Sequence, residues 1–188
     1  MDESQNNEII IETLVSLLGN HLEAKSPKEF MATGSSGLKV PGLYSWWVDE
    51  SGAIELTTGL SCEIQAGLIY VGLAGATHWP SGKRSSNTLW LRILNMHLGK
   101  NHEFSTFRRS LGAVLAHSEG NSFVDEERLT AWMETHLRVV AIPYEDADTL
   151  GRVEEDVLEK LDPPLNIKGR PTSDIRQRLK VLRKIVSR

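Results

Sequence analysis

Three stretches of this chain read as β-strands, and so small a number restricts the folds open to it. Gly42-Leu43-Tyr44-Ser45-Trp46-Trp47-Val48 and Gly67-Leu68-Ile69-Tyr70-Val71-Gly72 are β-branched, aromatic or aliphatic at most positions and lie between glycines and turn-forming residues. Leu137 to Ile142 is apolar apart from Arg138 and stops at Pro143, the pattern of a buried strand. Strands this few among helical sequence predict an α/β (α+β) fold with a small, largely antiparallel sheet flanked by helices. The short Ala53–Thr57 run between the first two strands reads as an extended segment pairing with one of them. With 188 residues and 40% hydrophobic composition, the chain can bury one core and hardly two.

Helical periodicity accounts for much of the remainder. Ile9, Ile10, Leu14, Leu17, Leu18 and Leu22 mark an amphipathic helix over Asn7–Ala24, whose apolar face packs on the body or recruits a protein partner or a second copy. Ser26-Pro27 and the Gly/Ser cluster within Met31–Gly37 read as a linker. Residues 1–37 are thus expected as helix plus linker, 38–170 as the central unit and 171–188 as a basic closing helix capped at Ser173. A helical insertion is expected at about 103–136, made of Ser105–His117 and Ser122–His136. Leu73–Thr88, with Trp79-Pro80 in it, has no periodicity and reads as a long surface loop. Asn87 or Thr88 caps a helix running to Leu98, and Asp146 or Asp148 caps one over Thr149–Leu161 that Pro163-Pro164 ends.

Charge and cysteine usage narrow the function classes. The net charge of −4 argues against a generic polycation, yet the charges are segregated. Lys83–Arg109 carries six bases against one acid, Glu119–Asp162 thirteen acids against four bases, and Lys168 to the end eight bases against one acid. That alternation suits a site holding a polyanion and a divalent cation together, although a mixed solvated surface has the same composition. The single cysteine, Cys62, excludes an intrachain disulfide and a thiolate zinc cluster. No apolar run approaches the roughly 20 residues of a membrane span, and no signal peptide opens the chain, so a cytoplasmic protein without membrane partners is expected.

The order of certain residues says more than their amounts. Gly42-Leu43-Tyr44 and Tyr70-Val71-Gly72 stand on two neighbouring strands, Arg92 follows within Leu89-Trp90-Leu91-Arg92-Ile93, and the late run Leu150 to Asn166 contains Glu154, Pro163-Pro164 and Asn166. This succession resembles the GIY-YIG nuclease superfamily, whose glutamate stands twelve positions before its asparagine and so selects Glu154 over Glu155. The resemblance covers Gly42–Asn166 and departs from the commonest members in the long connection between the tyrosine strands and in the insertion. It implies a metal-dependent endonuclease that hydrolyses phosphodiester bonds, most naturally in DNA. Tyr44 is then the catalytic phenol, Tyr70 its neighbour, Arg92 the phosphate ligand, Glu154 the metal ligand and Asn166 a support. Some members also use a histidine on the arginine helix, which makes His97 an accessory, though its spacing of five from Arg92 does not place both on one helical face.

These residue types suit that chemistry on their own terms. Phosphodiester hydrolysis needs an oriented water, neutralisation of charge on the phosphoryl oxygens and relief for the departing 3′ oxygen. A phenol is a poor base at neutral pH, so Tyr44 requires positive charge nearby. The planar fork of Arg92 matches a phosphate better than lysine does. One carboxylate, Glu154, suffices for Mg²⁺, with Mn²⁺ as a substitute, because that ion keeps waters and takes substrate oxygens. In a helix from Thr149, Glu154 shares a face with Val157, Leu158 and Leu161, so it faces inward.

His78, Trp79, Lys83, Arg84, Arg108 and Arg109 are candidate nucleic-acid contacts by stacking and phosphate pairing, or else ordinary surface residues. Trp90, Trp132 and at least one of Trp46 and Trp47 belong to the core. The histidines show no zinc-type spacing, and Ser45 and Cys62 have no partners for nucleophilic catalysis. The rival to an enzyme is a non-catalytic nucleic-acid-binding module with the same fold.

Overall fold

The computed structural model describes residues 3–78 and 81–186. In chain order its elements are α1 (Glu3–Leu18), α2 (Pro27–Ala32), β1 (Gly42–Val48), α3 (Glu50–Leu60), β2 (Gly67–Ala74), β3 (Thr77–His78), β4 (Lys83–Arg84) and α4 (Leu89–Leu91). A π-helical turn (Arg92–His97) continues α4, and α5 (Thr106–Ser118), α6 (Glu126–His136), β5 (Leu137–Pro143), α7 (Leu150–Leu161) and α8 (Asp174–Val186) follow. Among the described residues no helix is long and apolar enough to cross a membrane.

β1 is the central strand of a three-stranded sheet in the order β2-β1-β5, antiparallel on both sides, as the strand-like runs predict. Helices cover both faces, which is why β1 is buried at nearly every position and shows no apolar–polar alternation. On one face Trp46 packs with Phe107 and Leu111 of α5, Leu129 and Trp132 of α6 and Leu179 and Leu182 of α8. On the other, Leu43, Val71 and Ile142 pack with Ile11, Leu14 and Leu18 of α1 and Leu150, Val153 and Val157 of α7. The register slips between Trp46, opposite Tyr70, and Trp47, opposite Leu68. Ile69 is the extra residue of this bulge, so Ile69 and Tyr70 join the same apolar cluster while Leu68 and Val71 join the other.

Several local expectations give way to capping chemistry. Ala53–Thr57 is not extended but lies within α3, because the Asp49 carboxylate accepts from the Gly52 N–H and Ala53, Leu56 and Leu60 recur at helical spacing. Ser26-Pro27 begins a helix where a linker was expected: Ser26 and Glu29 form a reciprocal capping box, proline occupies the first turn, and Phe30 is buried. Leu73–Thr88 is not wholly loop, since β2 continues to Ala74 and Thr77–His78 pairs with Lys83–Arg84. The N-terminal helix ends at Leu18, whose carbonyl accepts from Ser45 Oγ at 2.8 Å. Of the apolar residues expected to pack or to recruit, Leu14 and Leu18, with Ile11, are buried against the sheet and α7, whereas Ile9, Leu17 and Leu22 are exposed.

Candidate active site

Tyr44 stands directly across the sheet from Gly72. A Cβ on Gly72 would lie 2.5 Å from the Tyr44 hydroxyl and 3.0 Å from the Tyr70 ring, so only glycine leaves room for both phenols. Gly42 has a similar origin, since a Cβ there would meet the Ile142 carbonyl oxygen of β5 at 2.2 Å. The two glycine–tyrosine tripeptides are therefore a steric arrangement: glycines admit the close approach, and the pleat sets Tyr44 and Tyr70 on one face with ring centroids 6.5 Å apart.

Arg92 and His97 reach this face from the turn after α4. In an α-helix, a spacing of five would rotate them about 140° apart. Here the Leu98 N–H donates to the Ile93 carbonyl at 2.9 Å, the i to i+5 bond of a π-turn, and the wider turn brings His97 back over Arg92. His97 Nε2 lies 2.7 Å from the Tyr44 hydroxyl and His97 Nδ1 lies 2.7 Å from Ser105 Oγ. Trp46 and Phe107 meet the imidazole edge-on, at 5.9 and 5.6 Å between centroids. Arg92 Nη1 donates to the Met96 sulfur at 3.2 Å and the guanidinium hydrogen-bonds to Tyr44, while Nε is buried with no protein partner. A guanidinium so placed suits an arriving phosphate oxygen.

Glu154 enters from α7, which packs against β2. It is half-buried, whereas Glu155 beside it is exposed, in agreement with the helical phase. Burial raises the Glu154 carboxyl to about 7, against the pull of Lys168 and Arg92. Burial likewise holds the Tyr44 phenol well above its ordinary value, with Tyr70 and Glu154 adding to the rise and Arg92 opposing it. Tyr70 is pushed up to about 12, chiefly by burial and then by Glu154. His97 is held well below its ordinary value by burial and then by Arg92. Tyr44, Tyr70, Arg92, His97 and Glu154 thus share one electrostatic neighbourhood.

Asn166 acts on the backbone. Its Oδ1 accepts from the Val71 N–H at 2.9 Å and its Nδ2 donates to the Val71 carbonyl at 2.7 Å, so its amide completes the outer edge of β2 between Tyr70 and Gly72. Arg176 of α8, buried, fixes this segment by donating to the Asn166, Pro163 and Pro171 carbonyls and to Asp162.

The outer basic residues divide. Arg108 is not a surface phosphate contact: its side chain is fully buried, bonded to Glu126 Oε2 at 2.8 and 3.0 Å and to Thr130 Oγ1 at 2.6 Å. The reason is helical phase, since Arg108 precedes Leu111 by three positions and Leu115 by seven on the inward face of α5. Arg109 is half-buried and lies beside Arg183 of α8, whose guanidinium burial and Arg109 together push downward; Arg183 also interacts with Tyr70. His78, Lys83 and Arg84 are exposed on the β3–β4 hairpin, which leans on Asp148 ahead of α7 through Arg84 and Thr77. Trp79 lies outside the described residues.

Sequence reasoning missed Ser105 and Lys168, and it offered Arg183 only as one of several C-terminal bases able to track a phosphate backbone. Lys168 stands two positions after Asn166, but no spacing rule picks it out. Ser105 heads a helix, which marks a cap and not a site. Among the described residues no group of three or more His, Cys, Asp or Glu side chains can hold a metal ion. A full protein cage is therefore not offered; a lone half-buried carboxylate fits an ion that fills its remaining positions with water and phosphate oxygens.

The sequence model of the GIY-YIG catalytic domain matches residues 42–185, which spans β1 through most of α8. The chain belongs to the GIY-YIG nuclease superfamily, as the tyrosine strands, Arg92, Glu154 and Asn166 suggest. No curated protein and no solved structure matches it.

Proposed function

We propose that this chain is a metal-dependent endonuclease that hydrolyses phosphodiester bonds in DNA, with one divalent cation, Mg²⁺ or in its place Mn²⁺, held by Glu154. The observation that supports it best is the convergence of Tyr44, Tyr70, Arg92 and Glu154 from four separate elements. The cation, when bound, supplies positive charge for the phosphate and the departing 3′ oxygen. Arg92 binds the scissile phosphate through its guanidinium, whose Nε–H lacks a protein acceptor. Tyr44 orients the attacking water; because burial keeps the phenol neutral at physiological pH, it accepts the water's proton only after positive charge beside it has let the phenol give up its own proton to solvent. Tyr70 packs against Tyr44, and Asn166 holds the strand that carries Tyr70. Arg109, Arg183 and the exposed His78, Lys83 and Arg84 are the basic groups that flank the bound backbone. The single free cysteine fits a cytoplasmic setting.

The test is incubation with plasmid, branched and single-stranded DNA, with and without Mg²⁺. Cutting that requires the cation and disappears in Glu154→Ala is the expected result. Salt-dependent binding without cleavage in Mg²⁺ or Mn²⁺ identifies a non-catalytic binding module instead.

A further inference from the structure

We infer that Ser105 is a positioning residue that holds His97 in its Nε2–H tautomer, so that the imidazole donates a hydrogen bond to the Tyr44 hydroxyl and does not accept the phenol's proton. Three buried side chains form one hydrogen-bonded chain, 2% exposed at Ser105, 3% at His97 and 1% at Tyr44, so each hydrogen in it must be placed. Ser105 caps α5, and its Oγ accepts the Arg108 N–H at 3.0 Å. That bond uses a lone pair and leaves the single hydroxyl hydrogen for the group at 2.7 Å, His97 Nδ1. An Nδ1 that accepts obliges Nε2 to carry the ring proton, and Nε2 faces the Tyr44 oxygen at 2.7 Å.

The opposite tautomer fits less well. With Nδ1–H donating, Ser105 Oγ would accept twice and its own hydrogen would have no acceptor among the described residues, in a place water does not reach. A charged imidazolium is opposed by burial and by Arg92. The ring cannot turn over freely, because Trp46 and Phe107 hold it edge-on and the His97 carbonyl is fixed by Arg108 Nη1 at 3.3 Å.

This inference deepens the nuclease reading and rests on it for its use. With its oxygen receiving the imidazole N–H, Tyr44 turns its own hydroxyl hydrogen away from the ring and toward the Tyr70 hydroxyl, a further hydrogen-bonding neighbour, and the donated N–H favours the charged form of the phenol. The insertion after the π-turn thereby acts on the chemistry from behind, through the hydroxyl at the head of α5. The tautomer itself belongs to the protein without nucleic acid.

The test uses the full chain, ¹⁵N-labelled at histidine, and long-range ¹H–¹⁵N correlation spectra, with the His97 signals assigned by their loss in His97→Gln. The expected pattern is a protonated Nε2 and a bare, hydrogen-bond-accepting Nδ1, unchanged between pH 6 and pH 8. Ser105→Thr should keep it, and Ser105→Ala should give a mixture of tautomers. A protonated Nδ1 in the parent, an imidazolium, or an unchanged spectrum in Ser105→Ala would overturn the inference. Should Ser105→Ala fail to fold, the parent spectrum decides alone. A protein with the expected spectrum that cuts no DNA counts against the nuclease reading only.

Discussion

Replacing Glu154 with glutamine should stabilise the cation-free protein at alkaline pH while abolishing its cutting. Burial raises the Glu154 carboxyl from its ordinary 4.5 to about 7. Between those values the folded chain keeps a proton that the unfolded chain has released. Stability attributable to this group is therefore full below about 4.5, falls as pH rises through the window and is lost above about 7. The difference corresponds to roughly 3 kcal/mol, because each pH unit of displacement is worth about 1.4 kcal/mol. Glutamine has the same size and no charge to bury. Parent and Glu154→Gln should then unfold alike at pH 4.5 in the presence of a chelator. At pH 8 the variant should lead by about 3 kcal/mol, or about 6 to 12 °C in Tm for a chain of this length.

Urea melts of both proteins at the two pH values, with chelator and then with Mg²⁺, measure this directly. Other titrating groups are common to both chains and cancel in the difference. Mg²⁺ should raise the stability of the parent alone, by about 1.4 kcal/mol at tenfold excess over its Kd. A stability gap that does not change between pH 4.5 and pH 8, or a variant less stable at pH 8, would refute the claim that this carboxylate is held at a cost by its surroundings. A side chain that lowers stability where it serves function is a common trade in proteins.

Gly72→Ala should fold yet lose about 100-fold in cutting rate, since the new methyl displaces the Tyr44 hydroxyl that now lies 2.5 Å from its place; a near-parental rate in steady-state kinetics would contradict that. Arg108→Ala should cost about 3 to 5 kcal/mol in chemical denaturation, because it leaves the Glu126 carboxylate without its buried partner, whereas Arg109→Ala should leave stability nearly unchanged and lower the salt dependence of DNA binding. Asn166→Ala should cost about 2 kcal/mol or more by exposing the Val71 N–H and carbonyl to a partnerless edge, and amide exchange at Val71 should speed up accordingly.

What the sequence made legible were features that depend on residue type and order. A phenol beside glycine at two strand ends, one guanidinium and one inward carboxylate are chemically distinctive, and helical phase agreed with the family spacing in separating the half-buried Glu154 from the exposed Glu155. The three sheet strands were equally plain, because runs such as Trp46-Trp47-Val48 suit little else. The remainder was hidden where one local signal outweighs another. The glycines and threonines of α3 suggest extension until the Asp49 cap is given its weight. Arg108 and Arg109 are alike in composition, and only the Leu111–Leu115 phase tells the buried one from the half-buried one. The His97–Ser105–Tyr44 chain was invisible because the π-turn that assembles it has no compositional mark.

That turn explains why the Arg92–His97 spacing resisted a helical reading, and it carries its own test. A π-turn is an α-helix with one residue too many, and the surplus costs regular hydrogen bonding. Here the surplus persists because His97 is anchored on both ring nitrogens and Arg92 must still face Tyr44. Asn95 is exposed and lies inside the turn. Deleting it shortens the separation to four residues, which on an α-helix rotates the pair by only about 40°. Both side chains would stay on the face toward the sheet, and the segment would regain regular i to i+4 bonds. The shortened chain should therefore fold, keep the imidazole on the phenol and retain most of its cutting rate. Loss of the His97 tautomer signal in a folded deletion variant would show that the wide turn is itself required, by a geometry that a regular helix cannot reproduce.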